Sequence, residues 1–128
     1  MKKKIYVILS MLLGLMFINA GLNKFFNYIP VPDDLPEKAM NMFMAMMEIP
    51  WLMPLLATFE ILGGIFIIIP RFRAFGAVIL SPIMIGILAH HVTIGEGLLV
   101  PLLMTGIWLW IIFTNLSKYR PMFHHNHS

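Results

Sequence analysis

The sequence predicts an all-α integral membrane protein: a four-helix bundle with a short amphipathic interfacial helix between its first and second spans. Three observations carry that reading. Hydrophobic residues make up 59% of the 128 residues and charged residues 12%, against about 25% charged in a soluble domain. Mean hydropathy is +0.85. Four apolar runs, at residues 5–26, 51–69, 74–91 and 98–115, each approach the roughly 20 residues that a helix needs to cross a 30 Å hydrocarbon layer. Membrane strands would instead show segments of alternating polarity, and none is present. Residues 1–128 read as one membrane domain.

Each element has its own signals. Lys2, Lys3 and Lys4 precede the first run. With Ala20-Gly21 they have the outline of a signal peptide, but Ile18 is large for the third position before a cut and the apolar run continues past it. Pro30, Pro32 and Pro36 then predict extended chain. Over residues 35–49, Asp34 reads as an N-cap with Glu37 at the third helical position. Lys38, Asn41 and Glu48 fall on one side of that helix, and Met40, Phe43, Met44, Met46 and Met47 fill the rest, the pattern of a helix lying in an interface. Pro50 and Pro54 open the second run and Pro101 opens the fourth, where early N–H groups lack partners anyway. Pro70 closes the second run. Pro82 inside the third predicts a kink, its freed carbonyl met by Ser81 or a neighbouring helix.

Charge sets the expected orientation. If four helices alternate, Lys2, Lys3, Lys4, Arg71, Arg73, Lys118 and Arg120 share one side. Asp33, Asp34, Glu37, Glu48, Glu60 and Glu96 lie within the membrane or on the other side. This distribution predicts a cell (inner) membrane protein with both termini cytoplasmic. The net charge is only +3, and the basic residues sit at the ends of apolar runs rather than along one stripe, which argues against a nucleic-acid partner. The expected partners are the lipid bilayer and either further copies of the chain or a membrane redox protein. Cysteine is absent, which removes disulfides, thiolate nucleophiles and Fe–S ligands.

Polar residues inside spans need partners or a function, since each charge costs about 2.5–3.5 kcal/mol on insertion scales. Asn19, Asn23, Lys24, Glu60 and His90, with His91 beside it, form the candidate pocket in the outer half. Glu60 is nine residues beyond Trp51 and so about 13 Å deep, while Lys24 starts about 3 Å deep. Helical side chains lean toward the N-terminus. Lys24 on an outgoing helix therefore leans inward, Glu60 on an incoming helix leans outward, and the two heads meet. Asn19 and Asn23 are i and i+4 on one face. Gly63 and Gly64 follow Glu60 by one turn and admit a close helix. A Lys–Glu pair with Asn partners also serves simply to lock helix register.

Other polar residues read more plainly. His90 and His91 sit where a solvated histidine is common, and no second histidine faces them for a bis-His haem. His124, His125 and His127 read as a terminal tail, and Lys118 and Arg120 as stop-transfer residues. Met40, Met42 and Met44 have the soft thioether chemistry of a copper site. Alternate helical positions point about 200° apart, however, so these thioethers fill apolar space and no metal site is assigned.

The stretch Gly14-Leu-Met-Phe-Ile-Asn-Ala-Gly-Leu-Asn-Lys24-Phe, followed by Pro54-Leu-Leu-Ala-Thr-Phe-Glu60-Ile-Leu-Gly-Gly64, resembles the DoxX family of small bacterial membrane proteins. The resemblance runs from the first span to the fourth. It rests on an Ala-Gly-x-x-Lys ending to the first helix, here Ala20 to Lys24, and a Glu-x-x-Gly-Gly in the second, here Glu60 to Gly64. It implies an association with quinone-linked redox systems. The residues carried over are Gly21, Lys24, Glu60, Gly63 and Gly64; His90 and His91 are not among them. Related four-helix proteins of thiol redox chemistry rely on cysteines, which this chain lacks.

Three functions follow as expectations. The first is a subunit or accessory of a membrane redox system, with quinone as the ligand, Asn19, Asn23 and Lys24 donating to its carbonyls, and Glu60 or His90 exchanging protons. The second is a small proton-coupled transporter, against which the pairing of Glu60 with Lys24 argues. The third is a structural or assembly protein without its own chemistry. No residue set assigns a catalytic turnover, so the sequence alone does not make the chain an enzyme.

Overall fold

The computed structural model describes residues 2–30 and 33–123, so Pro32 and the histidines at 124, 125 and 127 lie outside the described residues. Among the described residues every regular element is helical: α1 (Lys2–Phe26), α2 (Glu37–Met47), α3 (Leu52–Ile68), α4 (Arg73–Ile94), α5 (Leu99–Thr114) and α6 (Leu116–Phe123), with a 3₁₀ turn at Pro70–Phe72.

Local chemistry sets the boundaries. α1 ends where Asn27 takes the left-handed conformation (φ 53°) and its N–H donates to the Asn23 carbonyl, 2.7 Å. α4 stops in the same way at Gly95 (φ 84°), whose N–H reaches the His91 carbonyl, 2.9 Å. The α2 helix is shorter than residues 35–49 and lacks its expected cap. Pro36, in an extended conformation, holds the N-cap position two residues beyond Asp34, and no side chain caps the helix. α5 ends as Asn115 Nδ2 turns back to the Ile111 carbonyl, 2.7 Å, and an unforeseen α6 follows.

These endings bear on the number of spans. α3 has 17 residues and α5 has 16, about 26 and 24 Å of helix. By length and apolar character two helical segments suffice to cross a membrane, Lys2–Phe26 and Pro70–Ile94. The count reaches four only if α2 with α3, bent by 96°, and α5 with α6, bent by 67°, each form one span. Pro82 leaves α4 continuous. The Ser81 hydroxyl, 3.0 Å, and Trp108 Nε1 from α5, 2.9 Å, both donate to the Ala77 carbonyl, next to the Val78 carbonyl whose partner Pro82 removes.

The packing order is cyclic: α1 lies against α3, α3 against α4, α4 against α5, and α5 returns to α1. Leu13, Phe17, Ile67, Ala77, Leu80, Met84 and Ile111 fill the interior. The α1–α3 contact is backbone on backbone. A Cβ built on Gly14 would lie 2.7 Å from the Gly64 carbonyl oxygen, and one on Gly64 would lie 2.5 Å from that of Gly14. On the other side of α3, a Cβ on Gly63 would strike Leu80 of α4 at 2.6 Å. The outer faces are just as apolar as the interior. Leu99 is 72% exposed, Phe26 71% and Ile85 63%, a distribution that hydrocarbon solvates and water does not.

Candidate functional site

Three residues before Lys24 on α1 stands Gly21, and three before Glu60 on α3 stands Ala57. A Cβ on Gly21 would lie 2.7 Å from the Ala57 carbonyl oxygen and 2.6 Å from Ile61 Cγ1, so the helices touch in the layer beside the charges. Running antiparallel from that contact, the side chains of the next turn converge. Lys24 Nζ lies 2.6 Å from Glu60 Oε1, the one salt bridge among the described residues. The pair is asymmetric: 26% of the Lys24 side chain is exposed and 5% of that of Glu60. An ammonium has three N–H donors. One is directed at Glu60, leaving the exposed side of Lys24 able to meet a further acceptor.

The remaining sequence-derived residues divide. Asn19 and Asn23 do share the face of α1, but the chain that follows the helix engages both. It reverses at Asn27, bringing the Tyr28 hydroxyl onto the Asn19 carbonyl oxygen, 2.8 Å, and onto the Asn19 side-chain amide. The Ile29 N–H donates to Asn23 Oδ1, 2.7 Å. The two amides therefore tie down the exit of α1. His90 packs edge-on against the His91 ring, with centroids 5.2 Å apart, and no hydrogen bond or ion pair among the described residues joins it to Lys24 or Glu60. His91 is the more tethered of the two: its Nδ1 is 2.9 Å from the Ile87 carbonyl and its ring edge faces Gly97.

Sequence reasoning missed a second polar cluster at the opposite end of the helices. Arg73, 4% exposed, donates from Nε to the Ile67 carbonyl, 2.7 Å, and from Nη2 to that of Ile68, 3.2 Å. It thereby supplies donors to the carbonyls that end α3. Its guanidinium carbon lies 5.4 Å from the centre of the Tyr6 ring. Asn115 Nδ2 donates to the Tyr6 hydroxyl, 3.2 Å, and the Tyr119 hydroxyl donates to the Ala74 carbonyl, 2.6 Å. The available signal was an arginine and an asparagine at the flanks of two apolar runs that end on the same side. Gly14 and Gly76 were missed as well. Glycine at 76 lets α4 approach the Gly63 carbonyl, since a Cβ there would lie 2.9 Å from it.

Apolar helices with large hydrophobic side chains facing outward, gathered around an internal Lys–Glu pair, define a helical membrane protein. Residues 6–94 match the DoxX family, and the chain belongs to it. The match begins in α1 and ends with α4, so α5 lies beyond it and the family likeness is shorter than the first-to-fourth-span extent expected from sequence. Lys24 and Glu60 both fall inside the matched segment. No curated protein and no solved structure matches the chain.

Proposed function

We propose that this DoxX-family membrane protein is a subunit or accessory of a membrane redox system that holds a quinone-like, lipid-soluble molecule beside the Lys24–Glu60 pair. The observation that carries this reading is the asymmetry of the pair: a buried carboxylate backed by apolar helices, and an ammonium that remains partly open with donors to spare. A ring carbonyl approaching from the lipid side meets Lys24. Glu60, behind it, holds the ammonium in place and is the nearest group to accept or supply a proton. The bound quinone supplies two-electron redox chemistry, with its electrons exchanged with a partner subunit. Asn19 and Asn23 shape the exit of α1 rather than the ligand contact, and His90 does not enter the scheme.

The proposed setting is a cell inner membrane crossed four times, by α1, α3, α4 and α5, with α2 and α6 bent over at its opposite faces and both termini cytoplasmic. The grouping of seven basic residues on the α1-start, α4-start and α6 side supports that orientation. Single cysteines at Ser117 and Asn41, introduced into this cysteine-free chain, should label from opposite faces of the membrane.

The test is mass spectrometry of molecules extracted from gently purified protein. A quinone that copurifies with the wild type and is lost from Glu60→Gln and Lys24→Met, with helix content unchanged, supports the reading. An identical extract from all three overturns it. A second reading, a structural or assembly protein, draws on the same backbone contact at Gly21. Lys24→Met combined with Glu60→Leu would then keep cellular function while either change alone destabilises the protein.

A further inference from the structure

One end of the molecule is positive and unopposed. Lys2, Lys3 and Lys4 open α1, Arg71 and Arg73 lie at the turn into α4, and Lys118 and Arg120 lie on α6. All six acids of the chain fall between residues 33 and 96, and none forms an ion pair with these cations among the described residues. The cations come from three separate parts of the chain, and the internal polar cluster holds those parts together. Arg73 ties the start of α4 to the end of α3 and stacks over Tyr6 of α1; Asn115 ties the end of α5 to the same Tyr6; Tyr119 ties α6 to Ala74. Buried and part-buried hydrogen bonds thus hold the three basic segments at one end of the molecule, with no acid paired to them among the described residues.

The surroundings specify what kind of anion. Beside the exposed Arg71, Phe72 is 42% exposed and Phe75 56% exposed. On α6, Met122 is 70% and Leu116 42% exposed, while Lys118 and Arg120 flank the inward-facing Tyr119. α6 leaves the axis of α5 at 67°, so it runs across the end of the helices rather than continuing outward. A basic, amphipathic helix in that attitude matches an interface of headgroups and acyl chains. One further polar atom is unaccounted for in this region. Ser10 Oγ, one turn from Tyr6 on α1, is fully buried and has no hydrogen-bond partner.

We infer that this end of the protein is a binding surface for the phosphate headgroups of anionic phospholipids, with Arg71, Lys118 and Arg120 as the contacting cations and Arg73 as the buried residue that positions them. A soluble phosphate would satisfy the charges but not the apolar side chains interleaved with them. An anionic lipid satisfies both, through its head and its tails.

The test uses the full chain reconstituted in vesicles of phosphatidylcholine mixed with phosphatidylglycerol, followed by mass spectrometry of the lipids retained after detergent exchange. The wild type should retain phosphatidylglycerol preferentially, and retention should fall as salt is raised. Lys118→Gln with Arg120→Gln should lower that preference, about fivefold for each basic charge removed. Lys38→Gln on α2, whose side chain is exposed away from this end, should leave it unchanged. Inorganic phosphate in place of the anionic lipid should neither bind measurably nor raise thermal stability. Equal retention of the two lipids, an unchanged preference in the double variant, or equivalent stabilisation by inorganic phosphate overturns the inference. Should the double variant fail to fold, the wild type decides by itself, since retention indifferent to salt overturns it equally. None of these outcomes depends on the Lys24–Glu60 site.

Discussion

Gly14 and Gly64 face each other across α1 and α3 so closely that each occupies the space a Cβ on the other would need, at 2.7 and 2.5 Å from the opposing carbonyl oxygens. The obstacle is backbone in both directions, so no rotamer change relieves it. This contact and the one at Gly21 set the spacing of the two helices that carry the charged pair.

Gly64→Ala is therefore expected to destabilise the protein by about 1–3 kcal/mol, the usual cost of overpacking a close contact. The change should also weaken the Lys24–Glu60 pair, because the helices must separate. Thermal unfolding in detergent measures the first effect. Alanine at Gly86, where a Cβ meets nothing within 4 Å, is the matched control and should be close to neutral.

Breaking the ion pair from one side should cost more than removing it altogether. Lys24→Met leaves a buried carboxylate unpaired and should cost about 3–5 kcal/mol, whereas Glu60→Leu leaves a partly exposed ammonium and should cost less. The double variant should recover most of that loss, since replacing both members of a buried pair with apolar groups is often neutral. A double-mutant cycle on thermal or denaturant unfolding measures the coupling. Additive losses would show that the two groups do not depend on each other.

At the other end of the molecule, stability should depend on pH through Tyr119. Burial, with the nearby Tyr6 hydroxyl adding to it, raises the ionisation of this phenol above its ordinary value. A raised pKa means that the folded state holds the proton more tightly than the unfolded chain does. The contribution is then complete below the unfolded value of about 10 and is lost as pH climbs through the folded one. The melting temperature of the wild type should fall more steeply above pH ~10 than that of Tyr119→Phe. At neutral pH the same substitution should cost about 0.5–1.5 kcal/mol, for the lost bond to the Ala74 carbonyl.

The solvent of this protein and most of its helices are legible in the linear chain, because apolar runs of about twenty residues and their proline punctuation are local properties that no tertiary contact is needed to read. So is the pairing of Lys24 with Glu60, since helical rise and the lean of side chains toward the N-terminus fix where two antiparallel side chains meet. Partner choice among short polar side chains was decided only in three dimensions. Asn19 and Asn23 had two courses open, toward a neighbouring helix or toward their own chain, and the left-handed turn at Asn27 selected the second. The same holds for Arg73, Tyr6, Asn115 and Tyr119. Each looks like an ordinary flank in the linear chain, and they form a network because cyclic packing brings the ends of α1, α3, α4 and α5 together. Periodicity tells which face of a helix is apolar; only the packed structure tells which polar atoms at its ends find one another.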